Sequence, residues 1–479
     1  MGRSVRTLAK ASLWLGGILL VVLAAGYFTP YGGFALNGPT VGAGVSAQIA
    51  CAGVFVSGRK LDDVVNNDVV RLSPLTKWNH YDLDMAGKSV TVTAFGLSKR
   101  TSVYRPGIGC TLLVSSTPEQ LREQAEGIPE AATGDSPEAW PKGDNVDLKD
   151  LPAGVDRAAL DKAVADAMAD ETPAKEIDTR AIVVVYDGQI VAERYASGYD
   201  KNTRFLGWSE SKSMTATFIG TLVASGKLAL DAPAPVAEWN GKDDPRGKIT
   251  LRNLLNMSSG LAFKEPYDPG SDSTQMLFQE HDMAAYAASK PLIHPPGTFW
   301  DYSSGTANIL SRIAFQASGG TLASYIAYAR AHVFDPAGIT SAVFEPDESG
   351  NFVGSSYLYM NARDWARFGL IYLNRGTING QRIVPESYVD FVCTPAPAGK
   401  FKWYGGQFWL NGFSLKDPKV REFPHLPTDM CAAEGHNDEF TAIFPSHKAV
   451  IVRLGWTVTD GGFNRDRHFA AILAALPKS

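Results

Sequence analysis

The sequence is poor in cysteine and histidine, with four of the first and eight of the second in 479 residues. The histidines are scattered and no C-x-x-C or H-x-x-x-H spacing occurs, so the pattern sets up no metal site. An excess of either charge is also missing. Lys and Arg number 45 against 50 Asp and Glu, a net charge of −5, which lacks the basic surplus of a nucleic-acid binder. No internal repeat is present, which excludes solenoids and propellers. What remains, 45% hydrophobic and 20% charged residues, has the makings of a well-filled globular core. The length suits one large domain with a smaller companion.

One long uncharged run does occur. Arg3, Arg6 and Lys10 precede residues 11–28, ASLWLGGILLVVLAAGYF, a stretch between a signal-peptide core and a membrane span in length. Val22-Leu23-Ala24 resembles a cleavage site but sits inside the apolar run with no polar region before it. An uncleaved signal anchor is therefore favoured over a signal peptide. Either reading keeps the basic flank cytoplasmic and exports the rest to a periplasmic or extracellular face, and the favoured one ties it to the membrane by this segment. In such an oxidising compartment an even cysteine count favours disulfides. Three pairings of Cys51, Cys110, Cys393 and Cys431 are possible. Cys51–Cys110 and Cys393–Cys431 are preferred because each pair lies within one region, and free buried thiols are the alternative for the second.

Four further stretches differ in character. Residues 29–48 are rich in Gly, Pro and small residues and read as a tether. Residues 49–116 carry short β-like runs (52–56, 89–95, 111–114) and suggest a small appended subdomain. Residues 117–153, acidic and Pro-rich, read as a linker or a long surface excursion. The remainder, 154–479, is regular. A helical pattern begins near Asp156, and Asp187-Gly188 joins two β-rich runs as a type I′ hairpin requires. A second hairpin, 440–456, and a closing helix, 467–476, follow. The expected fold is α+β: an antiparallel sheet assembled from both ends of the domain, flanked by helices, with a mostly helical insert.

Ser209-Glu210-Ser211-Lys212 opens a run in which Met214, Phe218 and Leu222 are spaced by four, with Ile219 and Val223 beside them. That is a buried helical stripe, closed by Ser225-Gly226. Ser209 falls at the first turn, where unpaired N–H groups favour negative charge. Lys212 lies one turn along on the same face. Desolvation lowers a lysine's pKa, and a neutral amine beside a hydroxyl is a competent base for a serine nucleophile. Standing alone, the motif more often means a helix cap and a surface lysine. A second copy, Ser57-Gly58-Arg59-Lys60, reads as a turn because Gly58 is a poor first-turn residue. Gly207 to Ser211 also nearly matches the G-x-S-x-G elbow, but Ser211 replaces its last glycine and no parallel sheet is expected.

Further segments supply context: KITLRNLLNMSSGL (248–261), PPGTFWDYSSGTANILSRIA (295–314) and AAEGHNDEFTAIFPSHKAVIVRLG (432–455). With the serine segment, and over roughly residues 156–479, these resemble the serine β-lactamase and penicillin-binding-protein superfamily. The likeness is to its class C-like branch of esterases, D-amino-acid peptidases and 6-aminohexanoate-dimer hydrolases. The resemblance implies Ser209 as acylated nucleophile, Lys212 as partner in proton transfer and Tyr302 as the tyrosine base or relay, with Ser304 where the family usually has asparagine. It implies His436 at the first position of the strand motif and backbone N–H groups of Ser209 and Glu439 as the oxyanion hole. Ser304, Asn437 and Asp438 are candidate substrate contacts. Strand alternation would put Asp438 on the face of His436. There it would pair with the imidazole, bind a substrate amino group or block the cleft, in place of the family's glycine.

The function these residues imply is cleavage of an ester or amide through an acyl-Ser209 intermediate, without metal or organic cofactor. The substrate ranks as a small linear amide or ester first, a D-amino-acid peptide second and a β-lactam third. The alternative, prompted by Ser304 and Asp438, is a catalytically impaired, membrane-anchored relative that binds a ligand as sensor or scaffold.

Overall fold

The computed structural model describes residues 30–131, 136–169, 177–459 and 461–477. The described residues open on helix α1 (Pro30–Phe55) and a four-stranded antiparallel sheet, β1 (His80–Asp84), β2 (Ser89–Ala94), β3 (Ser98–Arg105) and β4 (Gly109–Leu112), in the order β1-β2-β3-β4. Of the residues expected to form a tether and a short β run, 29–48 and 52–56, those from 30 to 48 and from 52 to 55 thus belong to one helix. The small residues misread as linker composition are packing positions. Ala43, Ala47, Ala50 and Ala52 are fully buried. A Cβ on Gly44 would lie 3.0 Å from that of Phe278, and one on Gly53 would strike Val64 at 2.6 Å. A helix that is small and apolar all round is a buried helix. A disulfide joins Cys51 of α1 to Cys110 of β4.

The larger unit begins with helix α2 (Arg157–Met168) and the hairpin β5 (Thr179–Tyr186) and β6 (Gln189–Tyr195). Asp187 and Gly188, at φ 47° and 84°, make the turn. Next come α3 (Glu210–Ala224), α4 (Ser304–Ala317) and α5 (Ala362–Leu373). The chain closes with β7 (Trp409–Leu410), β8 (Cys431–Gly435), β9 (Glu439–Phe444), β10 (Ala449–Gly455) and α6 (Arg465–Ala474). The main sheet has the order β7-β8-β9-β10-β5-β6, antiparallel throughout. The last long strand pairs with the first, so the sheet joins both ends of the domain. It is α+β with flanking helices, as read from the sequence.

Alternation along β5 builds two cores at once. Ile182 and Val184 pack with Leu160 and Val164 of α2 and Phe469 and Ile472 of α6. Val183 and Val185 face the opposite side, with α3 and α5. Each such side chain contributes roughly 1.5–3 kcal/mol through burial. A second disulfide, Cys393–Cys431, ties the end of helix Glu386–Val392 to β8.

Two buried carboxylates join the appended region to the larger unit. Glu345 accepts from Gln48 Nε2 (2.7 Å) and Cys110 N (2.6 Å). Glu348 accepts from the main-chain N–H groups of Val114, Ser115 and Ser116. The acidic excursion is also held down, since buried Arg367 donates to Pro141 O, Gly143 O and Asp144 Oδ1.

The expectation of a membrane anchor, with its signal segment and membrane-tied location, is corrected here. Among the described residues no helix is long and apolar enough to cross a membrane. Residues 11–28, on which that expectation rested, lie outside the described residues.

Candidate active site

The approach to Ser209 is tightly built. Gly207 donates its N–H to Leu358 O (2.9 Å). A Cβ on Gly207 would meet the buried Trp365 ring at 2.2 Å, so glycine alone fits there. Trp208 follows at φ 45°, a left-handed conformation costing on the order of 1–3 kcal/mol for a non-glycine residue. Aromatic packing holds it, with its ring tilted against that of Trp456 at 5.7 Å and edge-on to His436 at 5.8 Å. Ser209 then occupies the N-cap position of α3, its side chain making no capping bond. Glu210, Ser211 and Lys212 give their N–H groups to the carbonyls of Gly207, Trp208 and Ser209, which leaves the Ser209 N–H outside that ladder.

Helix α3 is buried from Glu210 to Leu222. Most of its polar residues survive burial by finding a partner: Ser213 donates to Gln407 O, Thr215 to Gly354 O, and Thr217 bonds Tyr372, whereas the buried Glu210 carboxylate has no hydrogen-bond donor. Lys212 is carried into this interior at 1% exposure. Its Nζ lies 2.9 Å from Ser209 Oγ, 3.1 Å from Ser304 Oγ and 2.9 Å from Ser355 O. Desolvation brings its pKa down to about 8, against the opposing pull of the Glu265 carboxylate. Ser211, by contrast, accepts from Leu358 N and faces away from the lysine.

Tyr302, half-buried just before α4, sits over the same ammonium, 4.8 Å from Nζ to the ring centroid. Burial pushes its phenol well above the ordinary range, and Ser209 is a hydrogen-bonding neighbour that opposes the shift. Trp409 and Tyr404 pack its ring at 5.3 and 5.8 Å. Ser304, in the position of the family's asparagine, touches Lys212 and also donates to Glu265, by its N–H at 2.7 Å and its hydroxyl at 2.5 Å. Ser209, Lys212, Tyr302 and Ser304 thus form one cluster. Glu265 is a member that sequence reasoning missed. It is a lone carboxylate in a loop, outside every motif, and only the fold sets it beside Lys212. Burial raises its pKa, while Lys212 and the Ser304 bonds hold it down.

The strand-motif residues are arranged differently from expectation. His436, Asn437 and Asp438 form the turn between β8 and β9 rather than a strand, with φ of 65° and 61° at Asn437 and Asp438. Strand alternation therefore does not apply. The Asp438 carboxylate accepts from Gly461 N (3.0 Å) and Phe463 N (2.9 Å) and is buried. It is bound into the 461–463 loop. Asn437 is likewise committed, donating to Thr457 O at 2.7 Å. His436 does stand at the cleft, between the rings of Trp208 and Tyr267. Glu439 begins β9, and its carboxylate accepts from Gly455 N across the sheet. The backbone that meets the serine turn is Gly435 of β8, whose Cβ position lies 2.3 Å from Gly207 O. Among the described residues no cluster of three or more His, Cys, Asp or Glu is placed to hold a metal.

Asp438→Ala should lower the thermal midpoint rather than raise turnover. The buried Phe463 N–H and the part-buried Gly461 N–H lose their acceptor, a cost of about 1–3 kcal/mol. A rise in turnover of neutral substrates with unchanged stability would contradict this placement.

Residues 160–425 match the β-lactamase family, more than half of the chain, and the chain belongs to that family. The family's superfamily is serine-hydrolase-like. Among curated relatives, a 6-aminohexanoate-dimer hydrolase from Paenarthrobacter ureafaciens is 26% identical over 255 residues, 47% of this chain and 61% of the relative. Esterase EstB from Burkholderia gladioli is 30% identical over 167 residues, 32% of this chain and 41% of the esterase. The matches therefore span less than two-thirds of either relative. A solved structure from Bacillus anthracis, provisionally described as a 6-aminohexanoate-dimer hydrolase, superposes with a TM-score of 0.53 at 23% identity, covering 66% of this chain and 83% of that one. At that identity the likeness is one of fold.

Proposed function

We propose that this chain is a serine hydrolase that cleaves an ester or amide bond through an acyl-Ser209 intermediate. The observation that carries the reading is the 2.9 Å contact between Ser209 Oγ and a buried Lys212 amine whose pKa is drawn down to about 8. Neutral Lys212, with the Tyr302 phenol alongside, takes the serine proton as Oγ attacks the substrate carbonyl. The Ser209 N–H at the head of α3 is one donor to the developing oxyanion. For the second donor, the close approach of Gly435 to Gly207 O favours the backbone at that end of β8 over the Glu439 N–H implied by the resemblance. Collapse expels the alcohol or amine, which takes back the proton, and water then releases the acid.

Small linear esters and amides rank first as substrates, in keeping with the similarity to a 6-aminohexanoate-dimer hydrolase and an esterase. The sequestered Asp438 carboxylate removes one of the two grounds for an impaired binding relative. The test is incubation with activated esters, short amides and a fluorescent penicillin, followed by turnover and intact mass. A covalent acyl adduct that maps to Ser209 is the expected result. Absence of both adduct and turnover with every probe would defeat the reading.

A further inference from the structure

Beside the serine turn lies a cavity of about 630 Å³, within the range of small-molecule sites. Its far wall is not part of the family-matched region. Val41, Gly42 and Val45 of α1 form one side, and Leu277 and Phe278 face them. Leu75 and Phe95 of the appended region stand at the rim, 52% and 49% exposed. The opposite end is shared with the candidate active site, because Trp208, Tyr267 and His436 line it. Trp208 is bonded to the nucleophile in sequence, and Tyr267 acts electrostatically on the Tyr302 phenol.

The walls are mainly apolar; of the charged residues that also line them, Arg71 pairs with Asp178 at 3.8 Å and Asp268 follows Tyr267. Two polar residues of the lining, Thr76 and Thr274, spend their hydroxyls on protein carbonyls: Val69 and Ser73 for the first, Asp268 and Ser271 for the second. The surfaces of α1 and of helix Asp272–Gln279 that remain are aliphatic and aromatic. Gly42 keeps this space open, since a Cβ there would meet nothing within 4 Å.

We infer that this cavity is a substrate site for an uncharged alkyl or arylalkyl chain attached to the scissile ester or amide, built jointly by the appended region and the hydrolase domain. The inference rests on the proposed hydrolase activity for its reaction and on the cavity for its selectivity. Continuity at Trp208, Tyr267 and His436 places the chain's inner end next to Ser209. Depth toward α1 then sets the preferred length.

Two chain-length series on the full chain test it: 4-nitrophenyl alkanoates from acetate to dodecanoate, and alkyl acetates followed by acid release. In one of them kcat/KM should rise by about two- to fourfold per methylene over the first several carbons. The series that responds tells which side of the bond enters. Gly42→Phe, which fills the space and replaces a helical glycine, should cut the long-to-short ratio at least tenfold. Leu75→Glu, at an exposed position where folding is not at stake, should shift the ratio the same way. Binding is read separately with N-phenyl-1-naphthylamine on the Ser209→Ala protein, where fluorescence enhancement should be lost on adding Gly42→Phe. Probe binding without any turnover would sink the hydrolase reading and leave an alkyl-binding site. Turnover with no length dependence, no effect of Gly42→Phe and no probe binding would sink the cavity proposal alone.

Discussion

Ser209→Ala should abolish turnover, with kcat falling by about 10⁴- to 10⁶-fold, the scale on which covalent nucleophiles act. The acyl adduct should vanish with it. The fold should survive, because Ser209 offers no side-chain cap to α3 and its hydroxyl is only partly buried. A thermal midpoint close to the parent's, together with lost turnover, separates loss of chemistry from loss of structure. Retention of more than a few per cent of activity would move the nucleophile elsewhere. Ser211→Ala is the informative contrast. That hydroxyl accepts from Leu358 N in the wall of the site, so its loss should act on stability and leave acylation at Ser209 intact.

Lys212→Met should lower kcat/KM by about 10²- to 10⁴-fold, the usual range for a positioned base. The parent's pH profile should show the same group. With the amine pKa drawn down to about 8, the ammonium form prevails below that pH and cannot accept the serine proton. The rate should therefore climb as pH rises towards 8 and level off above it. Glu265→Gln supplies the sign test. Its carboxylate raises the lysine pKa, so removing the charge should move the acidic limb to lower pH. An unmoved limb would assign that titration to another group. A purely structural role for Glu265 would alter amplitude without shifting the limb.

Much of this arrangement was legible in the sequence because it is local. The Asp187-Gly188 hairpin, the stripe from Met214 to Leu222 and the three-residue gap from Ser209 to Lys212 are written in consecutive residues. Their periodicity follows from backbone geometry alone. Three features escaped for the opposite reason. Helix α1 is held by contacts to Phe278, Val64 and Glu345, which are remote or carry no pattern, so its small residues looked like slack chain. Asp438 looked like an intruder in the cleft until the 461–463 loop, over twenty residues later, was seen to receive its carboxylate. Glu265 reaches Lys212 across fifty residues without any spacing that announces it. In each case the deciding partner lies far along the chain, and only the closed fold brings it near.

The joints at Glu345 and Glu348 bear on how this protein is to be handled. Burial already lifts the Glu345 pKa to about 8, despite its bonds to Gln48 and Cys110. A fragment cut to begin at residue 154 would strip both carboxylates of those amide donors and lay bare the apolar surface under α1. Such a piece would start life with two orphaned acids and a sticky face. Trimming to that fragment is therefore unsuitable here, because residues 30–131 carry contacts that the larger unit stands on.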